Sequence, residues 1–124
     1  MYSVESDRSK RLLVISAAGR VTKKEVESVA LRLREMMKEI TPGFRVLTDF
    51  RWLGRMDPAA PVALAEIMDA LAEKDVAAVV RVVPDPNKDI GLNILSQFHY
   101  GPETKLATFE SLAEALSALM DEAV

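Results

Sequence analysis

The spacing of apolar side chains changes several times along this chain, and each change marks an element. Tyr2 and Val4 alternate with polar neighbours in Met1–Glu5, and Leu12-Leu13-Val14-Ile15 forms a denser run within Arg11–Ser16. Both are strand patterns, and the polar Asp7-Arg8-Ser9-Lys10 between them has the length of a hairpin turn, so the two pair antiparallel. Gly19 ends the second strand. Thr22-Lys23-Lys24-Glu25 then has the Ser/Thr-x-x-Glu spacing of a capping box, in which each side chain satisfies an orphan amide at a helix start. Val26, Val29, Ala30, Leu33, Met36, Met37 and Ile40 recur every three or four residues with charges between them, which makes an amphipathic helix that Pro42-Gly43 stops.

Phe44 to Phe50 is a short β-branched and aromatic run, a buried strand bounded by Pro42-Gly43 and by a loop starting Arg51-Trp52-Leu53-Gly54. It leads to Asp57-Pro58, an N-cap acid followed by a proline suited to the first helical turn. A helix from about Pro58 to Lys74 follows, with its regular part starting at Pro61 if that proline removes an early amide. Asp75 to Val83 is a nearly continuous apolar run, the pattern of a strand covered on both faces. Pro84-Asp85-Pro86-Asn87 breaks it. A third helix, about Lys88 to Phe98, presents Ile90, Ile94, Leu95 and Phe98 as its buried stripe and ends at Gly101-Pro102. Lys105-Leu106-Ala107 is a last short strand, and Thr108 caps a terminal helix whose Leu112, Ala115, Leu116 and Leu119 face inward. The order β-β-α-β-α-β-α-β-α specifies an α/β domain: a central, mixed, mostly parallel sheet with helices packed on it.

Composition narrows what this domain can do. At 124 residues it is one domain able to bury a core without staples. It has no cysteine, which excludes disulfides, thiolate metal sites and cysteine nucleophiles. No apolar run approaches the roughly 20 residues of a membrane span, and no targeting pattern opens the chain, so a cytoplasmic protein is expected. Charge is unevenly divided: residues 1–57 hold 12 Lys/Arg against 8 Asp/Glu, and residues 58–124 hold 4 against 11. Arg32, Arg34 and Lys38 alternate with Glu35 and Glu39 as on a solvated helix face, so nucleic acid is not an expected partner, whereas head-to-tail self-association is compatible with the division.

This element order resembles the anti-sigma-factor antagonist domain, the STAS or SpoIIAA-like fold, over essentially the whole chain. The signature of that family runs Asp-Leu-Ser, a short spacer, an apolar residue, then Asp-Ser-Ser-Gly at a helix start, with the serine after the second acid phosphorylated in regulatory members. Asp49-Phe50 stand at the opening pair, Leu53 and Met56 at the spaced apolar positions, and Asp57 at the acid before the helix. Arg51 replaces the early serine, Pro58 occupies the phosphorylatable position, and Ala59-Ala60 replace the serine and glycine that follow. The resemblance therefore implies the scaffold without the phosphorylation switch. The fold is also similar to the lipid-binding CRAL-TRIO type.

Candidate site residues gather at the carboxyl ends of two predicted strands, where ligands of open α/β sheets bind. They are Asp49, Arg51, Trp52, Arg55, Asp57, Pro58, Asp85 and Asn87. Structural roles compete for most of them: Asp57 as a cap, Asp85 and Asn87 as turn formers, Asp49 as a partner for Arg51 or Arg55, Trp52 as a lid over the core. His99 is the only histidine, and no serine or cysteine stands in a nucleophile context beside it. Gly19, Gly43, Gly54, Gly91 and Gly101 are isolated, which excludes the glycine-rich phosphate loops. Neither a cofactor nor a metal is expected. The reading that results is a non-enzymatic module acting by protein–protein contact, as a homodimer or in a regulatory complex. A carrier of a small apolar or amphipathic ligand, held between the sheet and methionine-rich helix faces, is the alternative. Acid–base chemistry by Asp49, Asp57, Asp85 and His99 ranks third.

Overall fold

The computed structural model describes residues 1–120. Over them the chain runs β1 (Tyr2–Asp7), β2 (Leu12–Val21), α1 (Lys23–Met37), β3 (Arg45–Met56), α2 (Pro61–Glu73), β4 (Ala78–Val82), α3 (Pro86–His99), β5 (Lys105–Phe109) and α4 (Leu112–Met120). The strands form one five-stranded sheet in the order β1-β2-β3-β4-β5. The β1–β2 hairpin is antiparallel and every other pairing is parallel. The element order and the mixed, mostly parallel sheet are those expected from the hydrophobic periodicity.

Helices cover both faces. On one side α1, α2 and α3 enclose the larger core, in which Leu13, Val46 and Val79 from the sheet meet Leu33 and Leu71 from the helices. On the other side α4 buries Ala115 and Leu119 against Leu47, Val80 and Val82. Lying between these layers, all five residues of β4 are buried, which is why its sequence shows no alternation. The capping box is formed: Thr22 Oγ1 accepts from the Glu25 amide at 3.2 Å while Glu25 Oε1 accepts from the Thr22 amide at 3.3 Å. Helix α2 closes with a Schellman motif. Asp75 takes the left-handed conformation (φ 57°), its amide donates to Ala72 O, and the Val76 amide donates to Leu71 O.

Several expectations from the sequence need correction. Gly19 does not end β2; with φ 63° it forms an irregularity inside a strand that continues to Val21. Residues 51–56 are not a loop but the second half of β3, because Ala18 to Val21 supply backbone partners for them. Regular helix α2 starts at Pro61, and Asp57 caps the preceding turn rather than the helix: its Oδ1 accepts from the Ala59 amide and its carbonyl from the Ala60 amide. Thr108 lies within β5, and Ser111 caps α4 by accepting from the Glu114 amide. Leu116, expected inward, is exposed. Of the stripe expected on α3 only Leu95 faces the core, together with Leu92 and Ser96, while Ile90, Ile94 and Phe98 face solvent.

Candidate functional site

Strands β2 and β3 outrun their neighbours. The β1–β2 ladder ends at Ala17, with Met1 alone still bonded to Ala18 and to the Arg20 carbonyl, and pairing of β3 with β4 stops at Asp49. Beyond those points Ala18 faces Trp52, Gly19 faces Leu53, Arg20 faces Arg55 and Val21 faces Met56, so a two-stranded parallel ribbon projects from the sheet. Its backbones approach so closely that a Cβ on Gly54 would stand 3.3 Å from the Gly19 carbonyl oxygen. Val21 is fully buried at the ribbon's far end, and the Asp57 amide donates to its carbonyl at 2.8 Å. The ribbon is thus anchored at both ends, and its middle carries the exposed side chains.

Those side chains are cationic and aromatic. Trp52 is 68% exposed, and the Arg51 guanidinium lies 5.6 Å from its ring centroid, within cation–π range. Arg51 also forks onto Asp49, Nε to Oδ1 at 3.0 Å and Nη2 to Oδ2 at 3.0 Å. This pairing holds the Asp49 carboxyl below the usual carboxylate range and raises Arg51 in turn. Asp57 is likewise held low, first by the hydrogen bond from the Ala59 amide, with the charges of Arg20 and Lys23 contributing. Arg20 and Arg55 are exposed, and among the described residues no carboxylate lies within ion-pair distance of either.

The eight candidate residues divide into two groups. Asp49, Arg51, Trp52 and Arg55 lie on β3, with Asp57 and the exposed Pro58 in the turn that follows. Asp85 and Asn87 lie past the end of the adjacent strand β4, where Asp85 caps α3 by accepting from the Asn87 amide at 3.0 Å. The two strand ends are neighbours, as the topology required, but the polar groups are bonded locally. His99 stands apart, its Nδ1 2.6 Å from Asp69 Oδ1 on α2. Asp49, Asp57, Asp85 and His99 therefore each have a different partner. One polar constellation escaped sequence reasoning: Arg81, 4% exposed on β4, donates from Nε to Asp89 at 3.0 Å and from Nη1 to Ser96 Oγ at 2.6 Å. A single arginine inside the run Val79 to Val83 was the available signal, since a buried guanidinium requires a partner.

No protein-family model matches this sequence, and no curated protein matches it. Solved structures do. The chain is similar to an uncharacterised DUF3478-family protein with a SpoIIAA-like fold from Shewanella loihica PV-4, at a TM-score of 0.72 and 19% identity over 96% of this chain and 92% of that one. It is also similar to the anti-sigma factor antagonist SpoIIAA in its unphosphorylated form, at a TM-score of 0.65 and 17% identity over 97% and 98% of the two chains. The fold is SpoIIAA-like. An anti-sigma factor antagonist from Mycobacterium paratuberculosis shares the SpoIIAA-like architecture as well, at a TM-score of 0.59 and 18% identity over 98% and 94%.

In this SpoIIAA-like domain the turn between ribbon and α2 carries Pro58 and Ala59, both exposed and both without a hydroxyl. The space between the sheet and α2 and α3 is small. A cavity of about 30 Å³ lies there, lined by Tyr2, Thr48, Arg81 and Tyr100 among apolar side chains. It has room for a water or two rather than for a lipid chain. Burial raises the phenol pKa of both Tyr2 and Tyr100, so both are neutral in the folded chain.

Proposed function

We propose that this SpoIIAA-like domain is a non-enzymatic protein-interaction module of the cytoplasm, self-associating through the β2–β3 ribbon and working without a phosphorylation switch. The observation that carries the reading is Trp52, 68% exposed on a projecting ribbon and flanked by the cations Arg20, Arg51 and Arg55. A large exposed aromatic beside arginines has the composition of an interface anchor. The division of charge along the sequence, with 11 Asp/Glu against 4 Lys/Arg in residues 58–124, is compatible with head-to-tail self-association. Two of the structural neighbours are named as anti-sigma factor antagonists, proteins that act on another protein, which accords with this role. Pro58 and Ala59 offer no phosphate acceptor in the turn beside the ribbon. A lipid-like ligand held between the sheet and helices α2 and α3 finds little support, because the cavity there measures about 30 Å³.

Light scattering coupled to size-exclusion chromatography tests the proposal, at low salt and at about 1 M salt, where the screening length falls to about 3 Å. A dimer at low salt that dissociates in high salt, and that is lost in Trp52→Ala and in Arg55→Glu, is the expected result. Trp52 emission should shift to the blue as protein concentration rises, because the ring leaves water. A wild-type monomer at every concentration, or a dimer indifferent to both substitutions, overturns the ribbon as the contact.

A further inference from the structure

At the end of the sheet opposite the ribbon, the β1–β2 turn meets the chain between α1 and β3 around a cavity of about 100 Å³. Its floor is apolar: Leu13 and Phe44 are 0% and 1% exposed, and Ile40 packs on the same core. Its rim is charged. Arg8 is ion-paired with Glu39 at the surface. Arg11 is not. Its Nη2 donates to the Pro42 carbonyl, and among the described residues no carboxylate lies within ion-pair distance of it.

The backbone is arranged to hold Arg11 there. Arg11 has φ 52°, a left-handed conformation that non-glycine residues rarely adopt. It is kept in place by two hydrogen bonds, from its own amide to Arg8 O and from the Arg45 amide to Arg11 O at 3.0 Å. Gly43, at φ 86°, lies against it: a Cβ at that position would stand 3.0 Å from Arg11 Nη2, so the guanidinium would have to give by a few tenths of an ångström. Arg11 lines the cavity, and its guanidinium has donors to spare after one carbonyl contact, so it is suited to hold an anionic head whose hydrocarbon body enters the cavity.

We propose that this corner binds a small apolar monocarboxylate, its carboxylate on the Arg11 guanidinium and its hydrocarbon against the partly exposed Leu12 and Ile40, above Leu13 and Phe44. The border sets the class. Asp7 and Glu39 also line the cavity and would repel a second negative charge, which disfavours phosphate esters and dicarboxylates. A volume of about 100 Å³ exceeds what one water needs several times over, yet is too small for a lipid chain. The proposal is independent of the ribbon and of self-association.

The experiment is a titration of the full chain with hexanoate, followed by amide proton–nitrogen correlation spectra, with hexanamide as the neutral control. Saturable shifts are expected at the amides of Leu13, Ile40 and Phe44, about tenfold weaker or absent with hexanamide because the charge-assisted bond is missing. Arg11→Gly should abolish the hexanoate shifts while keeping the fold, since glycine accepts φ 52° without strain. Arg11→Asn, which also tolerates that conformation, should behave alike. Shifts that persist in both variants, equal shifts with hexanamide, or none up to about 10 mM ligand overturn the proposal.

Discussion

Arg81 and Asp49 are both ion-paired, and their different surroundings give the two pairs different consequences. The Arg81 guanidinium is 5% exposed and its partner Asp89 16% exposed, so removing one charge leaves the other in a medium that cannot solvate it. Asp89→Ala is expected to cost about 3–5 kcal/mol in urea unfolding, whereas the double change Arg81→Met with Asp89→Leu should recover most of that loss. Asp49 is as exposed as Asp89, at 16%, but its partner Arg51 is 33% exposed rather than 5%, and the effect of this pair appears on the pH axis. Because Arg51 lowers its folded pKa, the unfolded chain takes up the proton first as pH falls. The stability it contributes is therefore complete above about pH 4 and is lost as pH drops through the lower, folded value. Urea midpoints measured from neutral pH down into that range should fall less steeply for Asp49→Asn than for the wild type. The sequence offered Arg51 or Arg55 as partners for Asp49, and the structure selects Arg51 because β3 continues through it, placing the two residues two apart on one face. The Arg81 pairing was not, since Asp89 and Ser96 are brought to it by a helix whose facing depends on the tertiary packing.

Among the elements, α1 and α3 show where periodicity succeeds and where it misleads. In α1 every charge falls between apolar positions, and the capping box fixes the first turn, so one face alone could be buried. In α3 the expected stripe was Ile90, Ile94, Leu95 and Phe98, and only Leu95 of these turns inward, beside Leu92. The inward face also carries Ser96, which receives the Arg81 guanidinium and itself donates to the Leu92 carbonyl at 2.8 Å. The observed facing thus gives a buried guanidinium its partner, a requirement that apolar periodicity does not express. Ile94→Gln and Phe98→Gln should accordingly change stability by no more than about 0.5 kcal/mol. Leu95→Ala should cost at least about 1 kcal/mol, and chemical unfolding of the three variants distinguishes the two facings. The misjudged end of β2 has a similar origin. A glycine at φ 63° ends a strand only when no neighbour continues the ladder, and the neighbour here was a stretch of β3 first taken for a loop.

For the molecule as a whole, the order of elements and their layering were readable because each βα unit repeats one instruction: an apolar strand, a breaker, an amphipathic helix. What sequence alone did not disclose was length, namely how far two strands continue once their outer neighbours stop. That extra length converts a supposed loop into the projecting ribbon that bears Trp52, Arg51 and Arg55. Its two strands run parallel, so no tight turn joins them, and the intervening chain must travel back through α1. A surface built this way cannot be copied by a linear peptide or a cyclised hairpin cut from the sequence. Any molecule meant to compete for it would have to reproduce two distant segments held side by side, which in practice means the folded domain itself.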